Sequence, residues 1–228
     1  LDVKDTVLVP MASTEQHGPH LPLYTDTITA IEISARVSEA IGVLHTPPIW
    51  AGYSPQHMYD PGQGRGTITL RSSTLLAVMN DVARSLIHHG FNRIIFVNGH
   101  GSNIKVVDPV LRQLRYETGA LIGFVRPYME RYVGVLEGLM ENPPEETPGW
   151  HSSELETSQD MAWNPSLVHM ERAEDTRAHI PDFLPSAPAT AARATASTGT
   201  GGTPGGGGRP GPPPEMTPGR MISELPPP

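Results

Sequence analysis

Three short runs of β-branched and aliphatic residues, TVLVP at 6–10, RIIFV at 93–97 and ALIGFV at 120–125, are separated by stretches whose apolar residues recur at helical spacing. Strand, helix and strand in alternation is the signature of a parallel sheet covered by helices, so the pattern predicts an α/β fold. TITAIEISARVSEAIG (27–42) carries Ile28, Ile31, Ile33, Val37 and Ile41, with Gly42 as its stop. VLHTPPI (43–49) reads as a Pro-ended strand, and SSTLLAVMNDVARSLIHHG (72–90) as a helix with Ser/Thr caps that closes at Gly90. IKVVDPVLRQLRYETG (104–119) reads as a helix with Pro109 near its start, and ELETSQDMAW (154–163) as another.

The organised pattern gives out near Pro181, and from Pro185 the chain is rich in Gly, Pro, Ala and Thr, with no aromatic residue. Such a segment cannot bury enough apolar surface to offset its ordering entropy, so residues 1–184 are expected to form the domain and 185–228 a disordered tail. Its GTGGTPGGGG run lacks the Lys-Ser/Thr of a phosphate loop and follows no strand.

Composition narrows the function. The net charge of −8 is spread along the chain and Lys/Arg form no cluster, which argues against nucleic acid or an anionic membrane as partner. The apolar runs are too short to span a bilayer, no signal peptide precedes the first strand, and the reading is of a cytoplasmic protein. There are no cysteines, so any metal must be held by histidines and carboxylates.

Those groups concentrate where a parallel sheet binds ligands, at the carboxyl ends of its strands. STEQHGPHLPLYTDT (13–27), just past the first strand, carries Glu15, His17, His20 and Asp26. NGHGSN (98–103), just past RIIFV, offers His100, and HSSELETS (151–158) offers His151, Glu154 and Glu156. Each alone reads as a surface acid, a loop histidine or a helix N-terminal carboxylate. Together they bring carboxylates and histidines to one sheet edge, where burial without a counter-charge is costly and a divalent metal resolves the conflict. His45, His88, His89 and His169 read as structural.

VPMASTEQHGPHLPLYTDT, FVNGHGSN and HSSELETS resemble the signature blocks of the creatininase (creatinine amidohydrolase) family, and GYSPQHMYDPG (52–62) is similar to a further loop of it. The resemblance implies a three-layer α/β/α sandwich with a mostly parallel sheet and a two-metal hydrolytic site, and mixed histidine and carboxylate donors suit Zn, Mn or Fe. It implies Glu15, Asp26 and His100 at one ion, and His17 and the bridging Asp26 at the other. The family's carboxylate two residues after the N-G-H histidine is replaced here by Ser102, so the resemblance points to Glu154 as the substitute ligand, with Glu156 the alternative or a supporting group. It further implies His151 as general acid, Tyr128 and Trp150 near the substrate, a ring-like homo-hexamer, and hydrolysis of a C–N bond in a small, cyclic amide such as creatinine. Relatives that deformylate or trim a precursor peptide, and a silent binding or assembly module on the same fold, are the alternatives. The family continues into a final helix where this chain has its Gly/Pro-rich tail, either a genuine extension or the product of a shifted reading frame.

Overall fold

A computed structural model describes residues 5–58, 64–126, 139–140 and 151–174. Four parallel strands, β1 (Thr6–Met11), β2 (Leu44–His45), β3 (Arg93–Asn98) and β4 (Leu121–Val125), lie in the order β2-β1-β3-β4. The helices are α1 (Thr25–Ile41), α2 (Ser72–His88), α3 (Ile104–Thr118) and α4 (Glu154–Trp163). The two central strands are apolar along almost their whole length because both of their faces are covered.

Side chains alternate across the sheet, and the two sets pack against different helices. Val7, Val9 and Met11 join Ile94, Phe96 and Ile122 on one face, under Leu75, Met79 and Ala83 of α2 and Val107, Val110, Leu111 and Leu114 of α3. Leu8 and Val97 point to the other face and meet Val43 and Ile33, the latter on α1. The result is the three-layer α/β arrangement expected from the sequence. Among the described residues no helix is long and apolar enough to cross a membrane.

The element ends differ from expectation in two places that bear on the site. Helix α1 begins at Thr25, so Asp26 sits in its first turn, where the helix dipole favours an anion. Helix α2 begins at Ser72 with Arg71 at its cap position and no side-chain cap, so the Ser/Thr residues lie inside its first turn rather than before it. Gly42 and Gly119 end α1 and α3 in the left-handed conformation. The expected disordered tail, and the boundary at 184/185, lie outside the described residues.

Register brings the functional loops together. Met11 pairs with Asn98 at the last rung shared by β1 and β3, so both strands release their chains at the same level. The contact there is close. A Cβ on Gly99 would lie 2.1 Å from the backbone oxygen of Asp26, whereas one on Gly101 would meet nothing within 4 Å. Gly99→Ala is therefore expected to cost about 1–3 kcal/mol and to displace the first turn of α1. Gly101→Ala should stay within about 0.5 kcal/mol of the parent. Thermal unfolding of the two variants checks the contrast, and equal melting temperatures would refute the close approach.

Candidate metal centre

Four segments converge at the carboxyl edge of β1 and β3. The loop after β1 folds back on itself through Glu15 N–H donating to the Leu23 carbonyl (2.9 Å) and turns at Gly18 (φ +67°), which buries Glu15 and His17. The first turn of α1 brings Asp26, the β3 exit brings His100, and α4 with the three residues before it brings Glu156 and His151. A single 3-10 turn, Pro55–Met58, adds His57.

The ligand-type atoms are within bonding reach of common points. His100 Nδ1 lies 2.9 Å from Asp26 Oδ2 and 3.2 Å from Glu15 Oε1. His17 Nε2 lies 3.3 Å from Asp26 Oδ1, 3.7 Å from Glu156 Oε2 and 3.9 Å from Glu15 Oε1. Glu15, Asp26 and His100 thus form one group of potential ligands and His17, Asp26 and Glu156 a second, with Asp26 common to both; Glu15, His17 and His151 form a third, overlapping group.

Hydrogen bonds on the outer side of the rings select which nitrogen faces inward. His100 Nε2 is 3.1 Å from the Tyr53 carbonyl, which can only accept, so Nε2 carries a hydrogen and Nδ1 is the nitrogen turned to the carboxylates, as a proton donor or, once deprotonated, as a ligand. His17 Nδ1 donates to the Glu15 carbonyl (3.1 Å), which leaves Nε2 for the centre. A carbonyl behind the ring that fixes its tautomer is the usual support of a metal-bound histidine.

The electrostatics are those of charge crowded out of water. Burial alone would lower the His100 pKa, but the Asp26 charge and hydrogen bonds to Asp26 and Glu15 lift it to about 10. His17 is raised well above the ordinary imidazole range in the same way: burial opposes, and the charges of Asp26 and Glu156 prevail. Burial would raise Glu15 and Asp26, yet both are held below the ordinary carboxylate range, Glu15 by hydrogen bonds from His100 and His151 and Asp26 by the charges of His100 and His17. His57 is pushed down to about 4 by burial.

This donor set fits divalent metal. Glu15 Oε2, His17 Nε2 and Asp26 Oδ2 are buried without a hydrogen bond of acceptable geometry. They lie 3.4, 3.3 and 2.9 Å from His57, Asp26 and His100 respectively, so these approaches are misaligned contacts rather than satisfied bonds. Buried polar atoms are ordinarily satisfied, and three such atoms in one cluster of oxygen and imidazole donors match the chemistry of Zn, Mn or Fe sites.

Of the residues singled out in the sequence, Glu15, His17, Asp26, His100, His151 and Glu156 come together. Glu154 belongs to none of the potential ligand groups among the described residues, and Glu156 stands beside His17 instead, with Oε2 also accepting the Ser152 N–H (2.5 Å). Ser102 Oγ accepts from Gln56 Nε2 (2.8 Å). His20 lies behind the site, with Nε2 3.1 Å from Thr157 Oγ1. Among the described residues, His45, His88, His89 and His169 join no such group. Tyr128 and Trp150 lie outside the described residues. Sequence reasoning passed over His57 and Gln16, although His57 sits in the GYSPQHMYDPG block and Gln16 between two expected ligands.

The family model described as creatinine amidohydrolase matches residues 1–209. The chain is 32% identical to the creatinine amidohydrolase of Pseudomonas putida over 177 residues, covering 74% of this chain and 68% of that protein. It is 39% identical over 117 residues to the mycofactocin precursor peptide peptidase of Mycolicibacterium smegmatis, covering 49% of this chain and only 45% of that one. A manganese form of creatininase superposes with a TM-score of 0.63 at 30% identity, covering 81% of this chain and 76% of the other. With the parallel sheet, the clustered acids and histidines and these matches in agreement, the chain belongs to the creatininase family of hydrolases.

Proposed function

We propose that this chain is a divalent-metal-dependent amidohydrolase that cleaves a C–N bond of a small amide. The observation that carries the reading is the pair of ligand groups sharing Asp26 at the sheet edge. Glu15, Asp26 and His100 would hold one ion; His17, Asp26 and Glu156 would hold the other. Glu156 takes the place that the sequence assigned to Glu154, because it is the acid that stands 3.7 Å from His17. When bound, two divalent ions supply Lewis acidity that polarises a carbonyl and acidifies a water at neutral pH.

The chain's own groups supply the rest. Asp26 presents one oxygen to each histidine and so sets the spacing of the two halves. His151, part-exposed beside Glu15, would exchange a proton with the substrate's leaving nitrogen. The substrate class is read from the relatives. Creatinine, a cyclic amide, is the substrate of the Pseudomonas putida protein, and a precursor peptide that of the mycobacterial one. The higher local identity to the peptidase favours a second reading, cleavage of a short peptide. Assay of the metal-loaded protein against creatinine, other cyclic amides and short peptides separates the two. Turnover of none would leave the silent binding module.

Elemental analysis is expected to find two divalent ions per chain. Asp26→Ala should lose both, and with them roughly 5 kcal/mol of stability, about 2.7 kcal/mol for each ion at a hundredfold excess over its Kd. Retention of a full complement by that variant would rule out a shared carboxylate.

Binding should also release protons. In the metal-free protein His100 (about 10) and His17 keep their protons above neutrality. Ligation needs the neutral ring, so apparent affinity should climb with pH, by up to about tenfold per unit for each proton displaced, between about pH 6 and 9. Calorimetry in buffers of different ionisation enthalpy measures the release, and an affinity flat across that window contradicts it.

Glu156→Gln should weaken one ion selectively by about 10- to 100-fold, as expected for loss of a carboxylate at or beside a metal. Glu154→Gln should leave both ions in place. The reverse result, read by metal stoichiometry after dialysis, would restore Glu154 as the ligand.

A further inference from the structure

Gln16 lies between two expected ligands, and its side chain reaches neither of them. Its Nε2 is 3.2 Å from His57 Nδ1 and 3.1 Å from His151 Nε2, while its Oε1 is 3.1 Å from the Gly18 backbone nitrogen. The orientation of this amide follows from Gly18. A backbone N–H can only donate, so the carbonyl oxygen must face it, and the NH₂ group must face the two imidazoles.

An amide NH₂ has two hydrogens and no lone pair to offer. Both imidazole nitrogens that it meets must therefore be acceptors, His57 at Nδ1 and His151 at Nε2. Each ring then carries its hydrogen on the other nitrogen. Those other nitrogens, His57 Nε2 and His151 Nδ1, are the ones that lie 3.4 Å from Glu15, the first at Oε2 and the second at Oε1. These approaches are not aligned hydrogen bonds, and Glu15 Oε2 has none, but the amide geometry on one side of each ring puts the N–H on the side where the carboxylate stands. The rings also touch, tilted at 32° with centroids 4.4 Å apart.

We propose that Gln16 is a positioning residue: it sets the tautomers of His57 and His151 so that each presents an N–H to a different oxygen of Glu15, holding that carboxylate in one orientation for its metal. The tautomer assignment stands on the metal-free structure alone. Only the consequence for metal affinity rests on the function proposed above. Asymmetric support of both carboxylate oxygens is what an outer layer of hydrogen bonds contributes to a metal site, and its loss ordinarily costs 10- to 100-fold in affinity.

Nitrogen-15 NMR of the metal-free protein near pH 8 reads the tautomers directly. The expected spectrum shows protonated nitrogens at His151 Nδ1 and His57 Nε2. Gln16→Glu keeps the acceptor for Gly18 but replaces the NH₂ by a second oxygen, so the hydrogens should move to His151 Nε2 and His57 Nδ1. The signals of His17 and His100 should stay as in the parent in that variant, because backbone carbonyls, not Gln16, hold their outer nitrogens. A parent spectrum with the hydrogen on His151 Nε2 or His57 Nδ1 overturns the proposal even if no variant folds, and so does a Gln16→Glu spectrum in which neither ring changes. Manganese titration of Gln16→Met, which has neither donor nor acceptor nitrogen, should show at least tenfold weaker binding of one ion. Unchanged affinity there overturns the link to Glu15. Absence of manganese binding in the parent protein would instead overturn the metal reading and leave the tautomers standing.

Discussion

Two carboxylates, Glu15 and Asp26, are buried almost completely within reach of the same histidine, and much of the structure follows from that. Like charges taken out of water repel strongly and lose their hydration, so the arrangement persists only if cations stand between them. Without metal the cations would be protons on His17 and His100, whose pKa values the same acids raise against the effect of burial. Protons are poor compensation here, because the contacts they allow leave buried atoms of Glu15, His17 and Asp26 unsatisfied. Divalent ions at those points would neutralise the acids and take up the lone pairs at once.

The fold supplies the rigidity that such crowding requires. Adjacent parallel strands end at one level, and asparagines tie their exits together. Asn103 donates to the Ala12 carbonyl (3.1 Å) and to Asn98 Oδ1 (3.0 Å), while its own oxygen accepts the Tyr53 N–H (2.9 Å). Asn98 in turn donates to the His100 carbonyl (2.6 Å). The loops after β1, before α2 and after β3 are thus joined through side-chain amides that satisfy the Ala12 and His100 carbonyls and the Tyr53 N–H. Close backbone approach at Gly52 and Gly99 lets these loops stack without side chains between them.

What was legible in the sequence is what depends on local pattern. Strands β1, β3 and β4 are apolar because they are covered, and the stops at Gly42 and Gly119 come from residues suited to the left-handed conformation. The acids and histidines past β1 and β3 were legible because a ligand site in a parallel sheet has a known place. His57 and Gln16 were not, since their meaning lies in contacts between loops 41 residues apart. The choice between Glu154 and Glu156 was also beyond a pattern of spacing. Successive helical residues are about 100° apart, so positions two apart point to nearly opposite sides, and nothing local says which side faces the cleft.

The docking of α4 answers that question. Ser153, Glu156, Thr157 and Asp160 recur at the spacing of one helix face, and that stripe is polar although Ser153, Thr157 and Asp160 are buried. Thr157 Oγ1 meets His20 Nε2 (3.1 Å), and Asp160 Oδ2 accepts from Thr25 Oγ1 (2.7 Å), so α4 is held to the loop after β1 and the start of α1 by hydrogen bonds. Apolar packing would tolerate a helix rotated or slid by a fraction of a turn, but a buried hydrogen bond lost in that way leaves a polar atom without a partner. A polar seam therefore fixes the rotation of α4, and the same rotation delivers Glu156 to His17. Thr25 is the residue before Asp26, so a single contact, Asp160 with Thr25, ties the helix bearing one acid of the centre to the turn bearing another.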